Sequence, residues 1–249
     1  MNKIILGLAT IAIFASSCIK TTEPKGSAAL ILVNAMVGSG SLVTNFGGNS
    51  PLQYYAGAFR ANYGSFYSGY KFNSYNGPGT LSLYNYPDTT QKPVLNVSFD
   101  LPSGSIHSLF LTGTLDHPES VFTEDKLPYY VSTDSSAGIR FVNLSPQSNP
   151  ISINLQGGAN GSEVVSLPYK GVTAFKPYRA TYDIASYSFE FRDATSGSLI
   201  TTYTAWNVGS PGQGYAPNPW MFKNNTLALI GSPDSTGRYQ QQVLLINNF

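Results

Sequence analysis

Residues 28–37 read AALILVNAMV, and residues 138–144 read GIRFVNL. Laid over each other, Leu30-Ile31-Leu32-Val33-Asn34 matches Ile139-Arg140-Phe141-Val142-Asn143, an offset of about 109 residues. Both are short runs of branched apolar residues, the pattern of a buried strand. The match continues outward. Asn45-Phe46 lies over Asn154-Leu155, and each pair leads into a Gly-Gly. Tyr70 corresponds to Tyr178, Leu81 and Leu83 to Phe189 and Phe191, and LFLTG at 109–113 to LALIG at 227–231. The last pair sits about ten residues further apart, a difference taken up by a Gly/Pro-rich insert at 209–219. Self-similarity at this spacing predicts two copies of one structural unit. Each copy is about the size of an immunoglobulin-like sandwich.

The segments between these anchors support strands. Residues 80–86 (TLSLYNY), 94–99 (VLNVSF), 186–191 (SYSFEF) and 198–203 (SLITTY) alternate apolar with polar; 108–112, 151–155, 226–230 and 242–246 are further short apolar runs. Gly, Pro and Asn separate them, which is strand-and-turn punctuation. No helical period extends over eleven residues in the chain beyond residue 18. The expected fold is all-β: two tandem Ig-like or transthyretin-like antiparallel β-sandwich domains, residues 28–133 and 134–249, with the boundary in the polar run STDSS at 132–136.

Residues 1–17 read MNKIILGLATIAIFASS, and Cys18 follows. Lys3 before a short apolar run, then small residues, is the order of a secretory signal. The run is about half of what a bilayer-spanning helix needs. Small residues immediately before a lone cysteine resemble the lipobox of bacterial lipoproteins. That resemblance implies cleavage before Cys18 and acylation of its thiol, hence a membrane partner through a palmitate-type anchor and a place in the outer membrane or cell envelope. More than one acyl chain is needed for stable anchoring. Residues 18–27 then form the lipidated start and a polar tether; they lack the acidic run that marks surface export in some lipoproteins. Cys18 is the only cysteine, so no intramolecular disulfide supports the sandwiches.

The strand IRFVNLSP at 139–146, followed by ISINL at 151–155, a Tyr-centred segment and a closing strand, resembles the bacterial domain of unknown function 4397. Tandem copies on lipoproteins and secreted proteins are what that resemblance implies. The first half has Ala35-Met36-Val37 in place of the Ser-Pro step. The family carries no assigned activity.

Charged residues make up 11% of the chain and the net charge is +1, so no basic patch exists for nucleic acid. Two histidines, His107 and His117, and the absence of a G-x-S-x-G elbow leave no nucleophile–base pair to recognise. Zinc spacing is missing. Asp116, Glu119, Glu124 and Asp125 cluster in LDHPESVFTED without EF-hand spacing, as a solvated acidic loop would. The expectation is no catalytic, cofactor-binding or metal-binding residue. A carboxylate-dependent hydrolase is the remote alternative.

Aromatic residues are the unusual feature. Nine of them, from Tyr54 to Tyr75, crowd one Gly/Ser-rich stretch, and Tyr215, Trp220 and Phe222 lie in the insert. Rings with a polar edge suit a protein or glycan partner. Tyr215, Trp220 and Phe222 are therefore the ligand-binding candidates of a non-catalytic binding module, with a structural envelope spacer as the alternative. Asp88-Thr89-Thr90 and Asp234-Ser235-Thr236 also resemble a short O-glycosylation motif of exported bacterial proteins. The anchor has a direct test. Cys18→Ala is expected to abolish signal-peptidase processing and release the protein from the membrane fraction; unchanged processing and sedimentation refute lipidation.

Overall fold

The computed structural model describes residues 25–47, 58–67, 70–89, 92–211 and 217–249. Cys18 and Tyr215 lie outside them. Sixteen strands form four four-stranded sheets among the described residues. The first half contains β1 (Ser27–Asn34), β2 (Ser41–Asn45), β3 (Arg60–Asn62), β4 (Lys71–Tyr75), β5 (Gly77–Asn85), β6 (Leu95–Leu101), β7 (Ile106–Gly113) and β8 (Pro118–Glu124). The second contains β9 (Ser136–Asn143), β10 (Ile151–Leu155), β11 (Val164–Leu167), β12 (Lys176–Arg179), β13 (Ser186–Asp193), β14 (Leu199–Trp206), β15 (Asn224–Ile230) and β16 (Gln242–Asn247). Each half is a sandwich. Sheet β3-β2-β5-β6 packs on β4-β1-β7-β8, and β11-β10-β13-β14 packs on β12-β9-β15-β16.

The all-β, two-sandwich expectation holds, with one addition. The first and seventh strands of each half pair in parallel, β1 with β7 and β9 with β15, while all other ladders are antiparallel. A parallel pair needs a long crossover. In each half that crossover builds the outer sheet.

Three hydrophobic cores follow from this stacking. Leu30, Leu32, Leu81, Leu83, Leu109 and Leu111 fill the first sandwich. Ile139, Phe141, Ile153, Phe189, Phe191 and Leu227 fill the second. A third core joins the two halves: Ile31, Val33 and Phe110 pack with Val142, Ala228, Ile230 and Ile246. Alternate residues of β1 therefore serve two cores, Leu30 and Leu32 one, Ile31 and Val33 the other. That explains the unbroken apolar run at its centre: a strand covered on both faces has no solvent side to make polar. The outer strand β13 keeps Phe189 and Phe191 inward and leaves its other face half-exposed, so it alternates.

The two halves use the same positions to meet. Ser108 pairs with Ile31 in the first inner sheet, and Thr226 pairs with Arg140 at the matching place in the second. Ser108 and Thr226 are thus equivalent, and both bind the Arg140 guanidinium, at 3.1 and 2.8 Å. Asp125 and Asn248 are equivalent as well, each donating its backbone N–H one residue beyond its last strand. Ser108 donates to Asp125 and Thr226 to Asn248, both at 2.7 Å, and Asn248 Nδ2 donates to Asp125 Oδ2 at 3.0 Å. Arg140 closes the network with a buried ion pair to Asp125, Nη1 to Oδ1 at 2.7 Å. Burial pulls the Arg140 pKa down, and the Asp125 carboxylate opposes that shift. Phe175 covers the guanidinium at 4.7 Å.

The shared asparagine of the two quoted runs has a common role. Asn34 accepts from the Met36 N–H and donates to Ser39 Oγ and Ala61 O. Asn143 accepts from the Ser145 N–H and donates to Ser148 Oγ and Leu167 O. In both halves it fastens the end of the first strand to the outer sheet.

Two readings are corrected. Register sets Phe72 opposite Leu30 and Lys176 opposite Ile139, so Tyr178 corresponds to Ser74 and not to Tyr70. The acidic loop is mostly strand β8. Two of its four carboxylates are committed: Asp125 is buried on Arg140, and Glu119 accepts from Lys170 Nζ (2.8 Å) and Tyr169 OH (2.6 Å) of the other half, while Asp116 and Glu124 are exposed as expected. Removing one member of a buried ion pair strands the other. Asp125→Ala is expected to lower unfolding stability in urea by about 3–5 kcal/mol, and Asp125→Leu with Arg140→Met to recover most of it. A loss under about 1 kcal/mol for Asp125→Ala contradicts this.

Candidate functional site

The insert is held by one side chain. Asn218 Nδ2 donates to Val208 O at 2.9 Å, and Asn218 Oδ1 accepts from the backbone N–H of Trp220 (2.6 Å) and Met221 (2.8 Å). This bracket turns Trp220 inward. Trp220 is 3% exposed, sits in the second core, and donates Nε1–H to Trp206 O at 2.9 Å. Its assignment as a ligand platform is therefore corrected: the indole is a plug whose one polar atom is satisfied. Phe222 is different. Its φ is +62°, and its ring is 41% exposed. A bulky residue in the left-handed region is strained by about 1–2 kcal/mol. The plug and the Phe222 N–H bond to Ser136 O (2.8 Å) hold it there.

Trp206, which the sequence reading passed over, is 67% exposed at the end of β14. The loop beside it is tied down by Val208 N–H to Ala185 O and Gly209 N–H to Ile184 O. That loop carries Tyr182, 77% exposed. Tyr129, 88% exposed, lies in the connection between the halves, which Asn224 secures through Pro128 O at 3.0 Å. Tyr75 and Phe249 are exposed too. Tyr75 is paired with Ser27, at the start of β1. Phe249 follows Asn248, whose carbonyl accepts from Lys71 Nζ.

These six rings share one end of the molecule. The network of Ser108, Asp125, Arg140, Thr226 and Asn248 joins the starts of the inner strands. Thr112 Oγ1 donates to Leu144 O where those strands finish. Hence β1, β7, β9 and β15 all start at the same end. Tyr75, Tyr129, Phe222 and Phe249 flank those starts, and Trp206 and Tyr182 join them through Trp220 and the 180–186 loop. Two lysines stand over rings here, Lys25 over Tyr75 and Lys71 over Phe249. The opposite end carries turns, among them Asp88-Thr89 and Asp234-Ser235.

Catalytic geometry is not assembled at either histidine. His107 lies buried on β7 with its ring flat against Phe122 at 4.7 Å. His117 sits in the turn before β8. Among the described residues, no three His, Cys, Asp or Glu side chains converge as a metal site, and no helix is long and apolar enough to cross a membrane.

No family model and no curated protein matches this sequence. Solved structures match weakly. The Bacillus anthracis TIE protein is 12% identical over 73% of this chain and 31% of its own, with a TM-score of 0.18, so the chain spans about a third of that protein. An adhesin candidate from Bacteroides ovatus is 10% identical over 91% and 97% of the two chains, at 0.23. Streptococcal family 41 carbohydrate-binding modules, described for alpha-glucan recognition, are 8% identical over 82% and 92%, at 0.24. Likeness at this level says nothing of ligand.

The two tryptophans separate plug from surface. Trp220→Ala is expected to cost about 3–5 kcal/mol of unfolding stability, and Trp206→Ala to stay within about 0.5 kcal/mol. Similar losses for both, in urea titrations, contradict the assignment.

Proposed function

We propose that this chain is a non-catalytic module of the cell envelope, anchored through lipid on Cys18, that works by contact through its aromatic end. The observation that carries this is the gathering of six exposed rings at one end of the two docked sandwiches, on strand ends and on the adjoining loops. Isolated exposed apolar side chains are ordinary, but a group of large rings with polar edges marks an interaction surface. A protein or glycan partner suits such rings.

The spacer reading draws on a separate observation: the third core and the Arg140–Asp125 pair fix the two sandwiches to each other. A spacer needs that rigidity and no ligand. The two readings part in one experiment. Trp206→Ala with Tyr182→Ala, on the mature protein, is compared with wild type on glycan arrays, on vesicles and in crosslinked envelope extracts. Loss of about ten-fold in a wild-type interaction supports the contact surface. Wild-type binding that the double variant keeps in full places the contact elsewhere. Absence of binding in every format favours the spacer.

A further inference from the structure

We infer that the occupant of the aromatic end is the lipid bilayer itself: the molecule stands on the membrane on this end, with its rings in the headgroup zone. The inference rests on reading that end as a contact surface and on the Cys18 anchor.

The length of chain between anchor and fold limits the geometry. Nine residue steps lead from Cys18 to Ser27, the first residue of β1. Fully extended they reach at most roughly 30 Å. The chain enters the fold at the aromatic end, because Ser27 pairs with Tyr75 there. The eight residues of β1 carry the body about 26 Å away from that point. Placing the opposite end on the membrane would consume nearly the whole tether running alongside the body. A lipid on Cys18 therefore holds the aromatic end near the bilayer.

The chemistry of the end matches what it would meet there. Trp and Tyr favour the membrane interface, where the ring lies among acyl-chain carbonyls and the polar edge stays wet. Trp206, Tyr75, Tyr129 and Tyr182 have that character, and Phe222 and Phe249 add apolar surface. Lys and Arg accompany Trp and Tyr as interfacial anchors. Here the ammonium groups of Lys25 and Lys71 lie 5.6 and 4.9 Å from the Tyr75 and Phe249 ring centres. The rings also spread over both inner sheets and reach the outer sheet of the second sandwich, so they form a base rather than a single spike. One acyl chain alone binds a membrane marginally, and an added apolar contact strengthens the hold and fixes orientation.

The chain has two tryptophans, which supplies the probe. Trp206 faces solvent and Trp220 is in the core. Residues 25–249 contain every described strand, so a form starting at Lys25 with an N-terminal hexahistidine tag can be held on nickel-chelating vesicles without any lipid on Cys18. The vesicles are zwitterionic and contain lipids brominated near the carbonyls. Tryptophan emission is expected to fall and shift to the blue, and Trp206→Phe is expected to remove most of the response because Trp220 is enclosed in the second core. The same tethered protein attached instead through Asp234→Cys, at the opposite end, is expected to show no quenching. Full-length protein recovered from membranes is measured in parallel.

Quenching of the tagged form with none in the Asp234→Cys form supports docking even if Cys18 proves unmodified; in that case only the anchor reading fails. A tethered protein whose emission is unaffected by bromine overturns docking while leaving the anchor untouched. Equal quenching from both attachment points shows adventitious contact and also overturns it. Selective capture of a glycan or a protein by Trp206 and Tyr182, with no vesicle response, assigns the end to that partner instead.

Discussion

The buried ion pair between Arg140 and Asp125 sets the terms for the rest of the molecule. A guanidinium and a carboxylate taken out of water together are tolerated only when further hydrogen bonds and close geometry surround them. Ser108, Thr226 and Asn248 supply those bonds, and each half contributes to the set. The pair therefore exists only when the two sandwiches are docked in one orientation. A purely apolar third core would leave that orientation to shape alone. With the ion pair in it, any slip of one inner sheet over the other separates charges in a place without water. The two halves are thus one body, and the ends of their strands are brought into line.

The pairing is also where the internal symmetry is broken. Arg140 occupies the position of Ile31 in the other half, and Asp125 that of Asn248. Two matching halves could meet as equals, as in an isologous dimer, with Ile and Asn on both sides. Placing the cation in one half and the anion in the other makes each half the required partner of its counterpart in the same chain. A second copy of either half would bring like residues together, which disfavours the association of like halves.

Much of this was open to a reader of the residues, and what was hidden has identifiable causes. The repeated LILVN and IRFVN runs stand out because a strand covered on both faces must be apolar throughout, and because the asparagine that ends each is needed for the same turn. The pairs Leu81–Phe189 and Leu109–Leu227 hold their register for the same reason: both contribute to cores. Tyr70 and Tyr178 do not: both are buried, but Tyr70 precedes β4 whereas Tyr178 lies within β12, so a shared residue type there carries no shared register. The acidic run at 116–125 looked solvated because charge is normally a surface signal, and only the opposite half reveals that Asp125 has a buried cation to meet. For the same reason Trp220 and Trp206 could not be told apart. Each lies near Gly or Asn in a polar context, and their burial is decided by the Asn218 bracket, a contact between residues on a loop.

The orientation that Arg140 and Asp125 impose has a consequence for how the molecule is polarised. Had the halves docked with their inner strands running in opposite senses, the loops before β1 and β9 would lie at opposite ends, and these six rings would be divided between them. Parallel alignment puts Tyr75, from the first half, beside Tyr129, Phe222 and Phe249, from the connection and the second half. It also puts all of them beside the point where the chain from Cys18 enters β1. The turns that carry Asp88-Thr89 and Asp234-Ser235 gather at the other end, away from that point. The buried charge pair thereby governs which surface lies beside the chain's entry into β1 and which lies at the far end. Neither surface could be assigned from one half taken alone.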